Sequence, residues 1–370
     1  MKRVRDIGWR RWATLGSLLL TLCGLPLEAR AQVSGFDGEG ERTPAVDDLI
    51  PELSGGEAYS ERYAVSFTSD RGIEVYLNWS ISNLGWGDHH GSAKVTVKFP
   101  ERPDYTFQKT VDREGWSNDD QRFGLDIADT SIASGEEGGF RIRHDGDVRL
   151  DLKLTGGCPL WSPGRGRLEV DNGFLERQVF ALRASATGRI KVDGEWQELG
   201  AEKAVYGDHV VTDIAPYGLA DRFSRARIVD GDRDLMVVWR ETKLTEAQGG
   251  ESVTWIVVAY RDEIVMADPD ASITFGRIRR DGETGYRLPH AIQIEGERGE
   301  DSVKVVMRAR KRTGTDLLAG YGRVAKLVAS SVSQPYSFYF DSDYQIEMTI
   351  GGRRASVRGE GGYTMDILNQ

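Results

Sequence analysis

The chain of 370 residues carries only two cysteines, Cys23 and Cys158. Removal of the leader inferred below takes Cys23 with it, which leaves no intrachain disulfide, so stability must come from buried apolar area. Several reaction signatures are also missing. There is no G-x-S-x-G for a hydrolase nucleophile, no Rossmann fingerprint and no P-loop. Cys158 has no evident histidine partner. Asp88-His89-His90 offers three ligand types, but neighbours on extended backbone point to opposite sides. No Cys/His spacing elsewhere completes a metal site, so the triplet reads as a solvated turn. Asp230, Asp232 and Asp234 copy the opening of a calcium loop yet read as a hairpin between two strands. No metal and no organic cofactor is expected.

Long apolar runs are equally scarce. The one that matters, Trp12 to Leu25, follows Lys2, Arg3, Arg5, Arg10 and Arg11 and precedes Ala29-Arg30-Ala31. A positive start, an apolar stretch and a small-x-small site describe a secretory leader over residues 1–31, with a mature start at Gln32. Glu28 and Arg30 cut the run short of the roughly twenty residues that an anchor needs. Trp12-Ala13-Thr14 replace the apolar residues that follow a twin-arginine pair, which favours Sec over Tat, and the bulky Leu22 before Cys23 argues against a lipoprotein. The expectation is a periplasmic or secreted protein. Without the leader's six basic and two acidic residues the net charge moves from −10 to −14. Such a surface repels phosphate backbones, and no basic stripe with interleaved aromatics offsets it, so no nucleic-acid partner is expected.

What the sequence does contain is alternation. Ile73, Val75, Leu77, Trp79 and Ile81 alternate with Glu74, Tyr76, Asn78, Ser80 and Ser82, the period of a strand with one dry face. The pattern returns at Ala93–Phe99, Val148–Leu154 and Tyr344–Ile350. Turn chemistry separates the strands at Asp70-Arg71-Gly72, Asp145-Gly146 and Asp193-Gly194. A chain built this way must close barrels or stack sheets, because open edges aggregate. Residues 156–186 read as an irregular interruption containing Trp161, Pro163 and Gly164. The best helical spacing is Asp316 to Ser330, through Leu317, Leu318, Tyr321, Val324, Ala325 and Val328. The expected architecture is all-β: two lipocalin-like (calycin) antiparallel barrels in tandem, with one short helix late in the second. The expected division is a leader (1–31), an extended segment (32–61), a first barrel (62–202) and a second barrel (203–370).

Three segments carry a family resemblance. DLKLTGGCPLWSPGRGRLEVDNGFLERQVFALRASATGRI (151–190) is a strand, a Gly/Pro-rich excursion and a Thr-Gly close. AVYGDHVVTDIAPYGLADRFSRARIVDGDRDLMVVWRE (204–241) opens on aromatic-Gly-Asp-His. GEGGYTMDIL (359–368) ends on a Gly-x-Gly-aromatic strand. Together they resemble the Svf1-like proteins and, more distantly, the hydroxyneurosporene synthase (carotenoid hydratase) and AttH-like group. That resemblance implies two lipocalin-like barrels with apolar ligands in or between them. It also implies a lipid-transfer or hydratase activity.

The hydratase members carry His-x-Trp and then Tyr-x-Asp. Here the corresponding positions are His209-Val210-Val211 and Trp239-Arg240-Glu241, with one residue of four unchanged. Alkene protonation needs a positioned acid in a dry pocket; Asp208, Asp213 and Glu241 are the candidates. Trp79, Trp239 and Trp255 share faces with valines and leucines, where they pack a core or wall a ligand. Trp161 stands in the irregular stretch. Tyr206, His209, Asp213 and Tyr217 stand on a segment expected to run between the barrels, as the polar end of a ligand site. The sequence therefore reads as an exported carrier of a lipid or isoprenoid-like molecule. An isoprenoid hydratase or cyclase, and a non-catalytic envelope interaction module with transient membrane or protein contact, are the alternatives.

Overall fold

A computed structural model describes residues 35–36, 43–84, 88–135, 139–319 and 335–369; the expected leader lies outside them. These residues form two antiparallel sheets. Eleven strands of the first follow the order Tyr105–Val111, His90–Lys98, Glu74–Ser82, Ser60–Thr68, Ala201–Thr212, Gly173–Val192, Arg149–Thr155, Phe140–Asp145, Thr130–Ser134, Gly124–Ile127 and Trp116–Asn118. The second runs Glu263–Asp268, Ser252–Tyr260, Leu235–Leu244, Ala220–Asp230, Arg353–Ile367, Tyr336–Ile350, Asp301–Asp316, Arg287–Arg298 and Ser272–Arg280. Both wind alike. In each, the first strand pairs with the last, and the opening falls between the fourth and fifth strands, which are neighbours in the chain.

Side chains draw the two openings together. Tyr105 Oη lies 3.0 Å from His144 Nε2, and the Phe107 ring lies 4.7 Å from that imidazole. In the second sheet, the Glu297 backbone N–H donates to Asp268 Oδ2 at 2.8 Å. Two lipocalin-like, barrel-like sheets are the result, in line with the alternation.

The alternating strands do what their period demands. Tyr63, Val65 and Phe67 join Val75, Leu77, Trp79 and Ile81 in one core, each essentially excluded from water. Every such side chain contributes about 1.5–3 kcal/mol of transfer free energy. Trp239, Val237, Ile256, Val258, Phe338, Phe340 and Tyr363 line the interior of the second barrel. A third cluster lies outside both interiors, where the sheets meet back to back: Val179, Leu182 and Tyr206 from the first, and Met236, Val238, Trp255 and Val257 from the second.

That seam explains a misreading. Residues 156–186 are not wholly irregular, because Gly173–Val192 is a twenty-residue strand. Its central part is buried on both faces, one in the barrel and one in the seam, so the apolar/polar alternation vanishes. Register shifts near Val179 and Leu182 further blur its period. Only its flank, with Trp161 bridged to Val179, departs from regular pairing.

The sheets change over later than residue 203. Ala201–Thr212 pairs with Ser60–Thr68 and Gly173–Val192, inside the first sheet. The crossover is Asp213–Leu219, with a single helical turn at Pro216–Leu219. Of the expected late helix, Asp316 closes a strand and Leu317–Ala319 form a turn; residues 320–330 lie outside the described residues. Of the extended amino-terminal segment, residues 35–36 and 43–59 are described, and they pack against the fold. Phe36 buries in the seam, and Leu49 and Tyr59 bury in the first barrel.

Candidate functional site

The strand Ala201–Thr212 sends successive side chains to opposite faces, so its YGDH motif serves two compartments. Tyr206 and Asp208 face the seam, while Gly207 and His209 face the first barrel. Gly207 is required there by space: a Cβ would stand 2.6 Å from the Phe180 ring.

Inside the first barrel, His209 Nε2 lies 2.7 Å from Glu61 Oε1 and the imidazole stacks on Tyr63 at 4.3 Å. Tyr59 donates its hydroxyl to the other oxygen of Glu61. The Tyr63 hydroxyl has one proton and two acceptors in reach, Glu61 Oε1 at 2.5 Å and the Leu49 carbonyl at 2.7 Å. Burial and the Glu61 charge raise both tyrosines well above their usual range, so they stay neutral donors. Glu61 is fully buried. Nothing in the local sequence of Glu61 marks it; only its pairing across from Val211 brings it to His209.

In the seam, one carboxylate oxygen collects three guanidinium groups. Asp208 Oδ2 lies 2.5 Å from Arg177 Nη1, 3.1 Å from Arg240 Nη2 and 3.5 Å from Arg62 Nη2. Arg240 also donates to the Tyr206 hydroxyl at 3.2 Å. Burial alone would raise the Asp208 carboxyl, but Arg240, Arg62 and Arg177 outweigh it and hold it down to about 2. Asp208 is therefore ionised at neutral pH and cannot deliver a proton. Burial, then repulsion from Arg240, pushes Arg177 down to about 9 against the pull of Asp208.

Inside the second barrel, Glu241 accepts from Arg222 Nε at 3.1 Å, from Ser224 Oγ at 2.6 Å and from Ser252 Oγ at 3.0 Å. Arg222 in turn lies over the Phe275 ring at 4.4 Å. Two residues away on the same face, the indole N–H of Trp239 is buried with no hydrogen-bond partner, as is the hydroxyl of Thr254 opposite Glu241.

The expected site residues are thus dispersed. Trp79 is in the first barrel, donating Nε1–H to the Thr130 carbonyl at 3.0 Å. Trp239 and Glu241 share the second barrel. Tyr206 and Trp161 face the seam, Trp161 set edge-on to Trp255 at 5.2 Å. Asp213 accepts from the Phe174 backbone N–H at 2.7 Å, a crossover clasp, and Tyr217 is exposed. His209 and Tyr206 do not form one polar end, because three residues of strand place them on opposite faces. His89 of the Asp88–His90 turn reaches the Ser54 carbonyl at 3.0 Å. Among the described residues no group of three or more His, Cys, Asp or Glu is placed to hold a metal ion.

Open depressions complete the picture. The wrap around Leu49–Tyr59 covers one end of the first barrel. The other end bears a groove of about 810 Å³ floored by Ile73, Phe99, Val148 and Val192 and rimmed by Arg71, Arg102 and Asp193.

Fold and site together define a two-barrel protein of the lipocalin-like class. No protein-family model matches the chain. In sequence it is similar to the ceramide-binding protein SVF1 of Yarrowia lipolytica, with 22% identity over 243 residues, 60% of this chain and 60% of that relative. The similarity therefore spans less than two thirds of the relative's length. In structure it is similar to an AttH-like protein of Nitrosomonas europaea (TM-score 0.57, 13% identity, 89% of this chain and 97% of that one). Kievitone hydratase of Nectria haematococca shares the fold as well (TM-score 0.53, 11% identity, 91% and 96% covered). The Svf1-like and AttH-like resemblance is thus matched in sequence by the first of these and in fold by the others.

Proposed function

We propose that this protein binds and carries a lipid or isoprenoid-like molecule in or between its barrels, after export to the periplasm or beyond the cell. The similarity to a ceramide-binding protein supports an apolar ligand. The observation that carries the reading lies in the second barrel. The buried indole N–H of Trp239 and hydroxyl of Thr254 lack partners on a face otherwise lined by apolar side chains and Glu241. A buried polar group left unpaired costs about 1–3 kcal/mol, and a ligand's polar atom would remove that cost. Apolar burial would drive binding at roughly 25 cal/mol per Å², offset by ordering and desolvation. Two of the candidate acids argue against proton chemistry: in the seam Asp208 is held ionised, and in the second barrel Glu241 is saturated by Arg222 and two serines.

The test is an organic extract of the protein purified from its host, read by mass spectrometry. Stoichiometric lipid is expected, and Trp239→Phe should weaken its retention about tenfold by removing the N–H while keeping the bulk. An extract without lipid, together with no binding of added ceramide or isoprenoid, would sink the carrier reading. The hydratase reading draws on one further observation, the buried His209–Glu61–Tyr63 hydrogen-bond chain. It expects turnover of an isoprenoid alkene that is lost in His209→Ala.

A further inference from the structure

The chain is acidic overall, yet five arginines stand close together in the seam between the sheets. Arg62, Arg177 and Arg240 converge on Asp208, as described. Beside them Arg225 Nη1 reaches Asp366 Oδ2 at 2.5 Å, and Arg227 Nη1 donates to the Ser66 carbonyl at 2.5 Å and to Ser66 Oγ at 2.9 Å. Five guanidinium charges thus face two carboxylates. Glu74, the next acid along, already holds Lys98 at 3.2 Å.

We propose that this cluster is an anion site: Arg62, Arg177, Arg225 and Arg240, around Asp208 and Tyr206, receive a phosphate-like group, whether a free anion or the head of an amphiphile. Guanidinium groups are planar forks that match phosphate and carboxylate two bonds at a time. One aspartate cannot use the donors that three arginines bring to it. Excess charge kept away from water is costly, and a bound anion is the chemistry that relieves it. Burial first, and repulsion from Arg240 after it, lower Arg177 in the same crowded cluster.

Access is graded in a way that suits entry from solvent. The side chains of Arg62 and Arg225 are 37% and 38% exposed, those of Arg240 and Arg177 are 15% and 8% exposed, and that of Asp208 is 1% exposed. An incoming anion would meet the outer pair first and the inner pair at the floor. The site is distinct from the second-barrel residues on which the carrier reading rests, because the strand Leu235–Leu244 turns Trp239 into that barrel and Arg240 into the seam.

Calorimetry on the whole mature chain tests it with three probes: inorganic phosphate, a short-chain phosphatidic acid, and a diacylglycerol with the same chains. Phosphate should bind wild type at least tenfold more tightly than Arg62→Gln or Arg225→Gln. Asp208→Asn, which removes the internal competitor, should bind phosphate several-fold more tightly and gain more thermal stability from it than from chloride at equal ionic strength. Phosphatidic acid binding at least tenfold better than free phosphate and than diacylglycerol assigns the site to a headgroup. Phosphate binding without that preference assigns it to a free anion, and it would do so even if neither lipid bound and the carrier reading had failed. Absence of an arginine-dependent response to phosphate and to phosphatidic acid, with circular dichroism showing the variants folded, overturns the proposal.

Discussion

Asp208 and His209 are one peptide bond apart, and the two faces they serve are managed differently. In the first barrel the single carboxylate of Glu61 is matched to its surroundings: two hydroxyls and an imidazole satisfy it, and all three partners are buried with it. In the seam a single carboxylate faces a surplus of guanidinium groups, and the outer ones reach solvent. Around Glu61 the buried polar groups satisfy one another, as most buried polar groups do. A seam open at one side can hold an imbalance that a solute corrects.

Several changes would break or sharpen this contrast. The largest effect is expected from Glu61→Leu. It strands Tyr59 and His209 without their acceptor, leaves Tyr63 only the Leu49 carbonyl, and should cost about 3–5 kcal/mol in urea unfolding. Arg62→Gln, the next residue and on the other face, should cost under about 1 kcal/mol, since its side chain is partly in water and its pairing is loose. Equal losses from the two would erase the distinction between the faces.

Next comes pH. The folded-state value of Asp208 lies near 2, below the ordinary 3.8. Its ionised form is therefore favoured by folding. That stability is complete above the unfolded value and is lost as pH falls through the folded one. Wild type should lose about 2 kcal/mol between pH 5 and pH 2 through this group, a slope missing in Asp208→Asn. A smaller loss, about 1–2 kcal/mol in thermal unfolding, is expected for Gly207→Ala, whose new methyl collides with Phe180 while leaving Asp208 and His209 in register. Loss of phosphate affinity in that variant without loss of stability would show that the two faces are not independently built.

Strands with one wet face were legible residue by residue. Glu74–Ser82 and Tyr336–Ile350 sit within a residue or two of their alternating patterns, or extend them. The central strands were not. Gly173–Val192 and Ala201–Thr212 are buried on both sides over much of their length, so they lose the period that announces a strand. For the same reason the division between barrels looked ten residues too early. Among the site residues, Trp239 and Glu241 share a face two residues apart, as alternation allows. Tyr206, His209, Asp213 and Tyr217, close in sequence, disperse to the seam, the first barrel, a crossover clasp and the surface. Glu61 and Arg177, central to two polar centres, had no local mark at all.

The order of residues by itself settled that this chain is strand-built and doubled, because a two-residue period repeated through both halves is a local property. The partners of each buried charge were decided only when the strands closed. Glu61 meets His209 across 148 residues of chain, and Asp208 meets Arg62 across 146. No local pattern encodes such meetings, since the register of long-range pairing, not sequence distance, determines which carboxylate faces which cation.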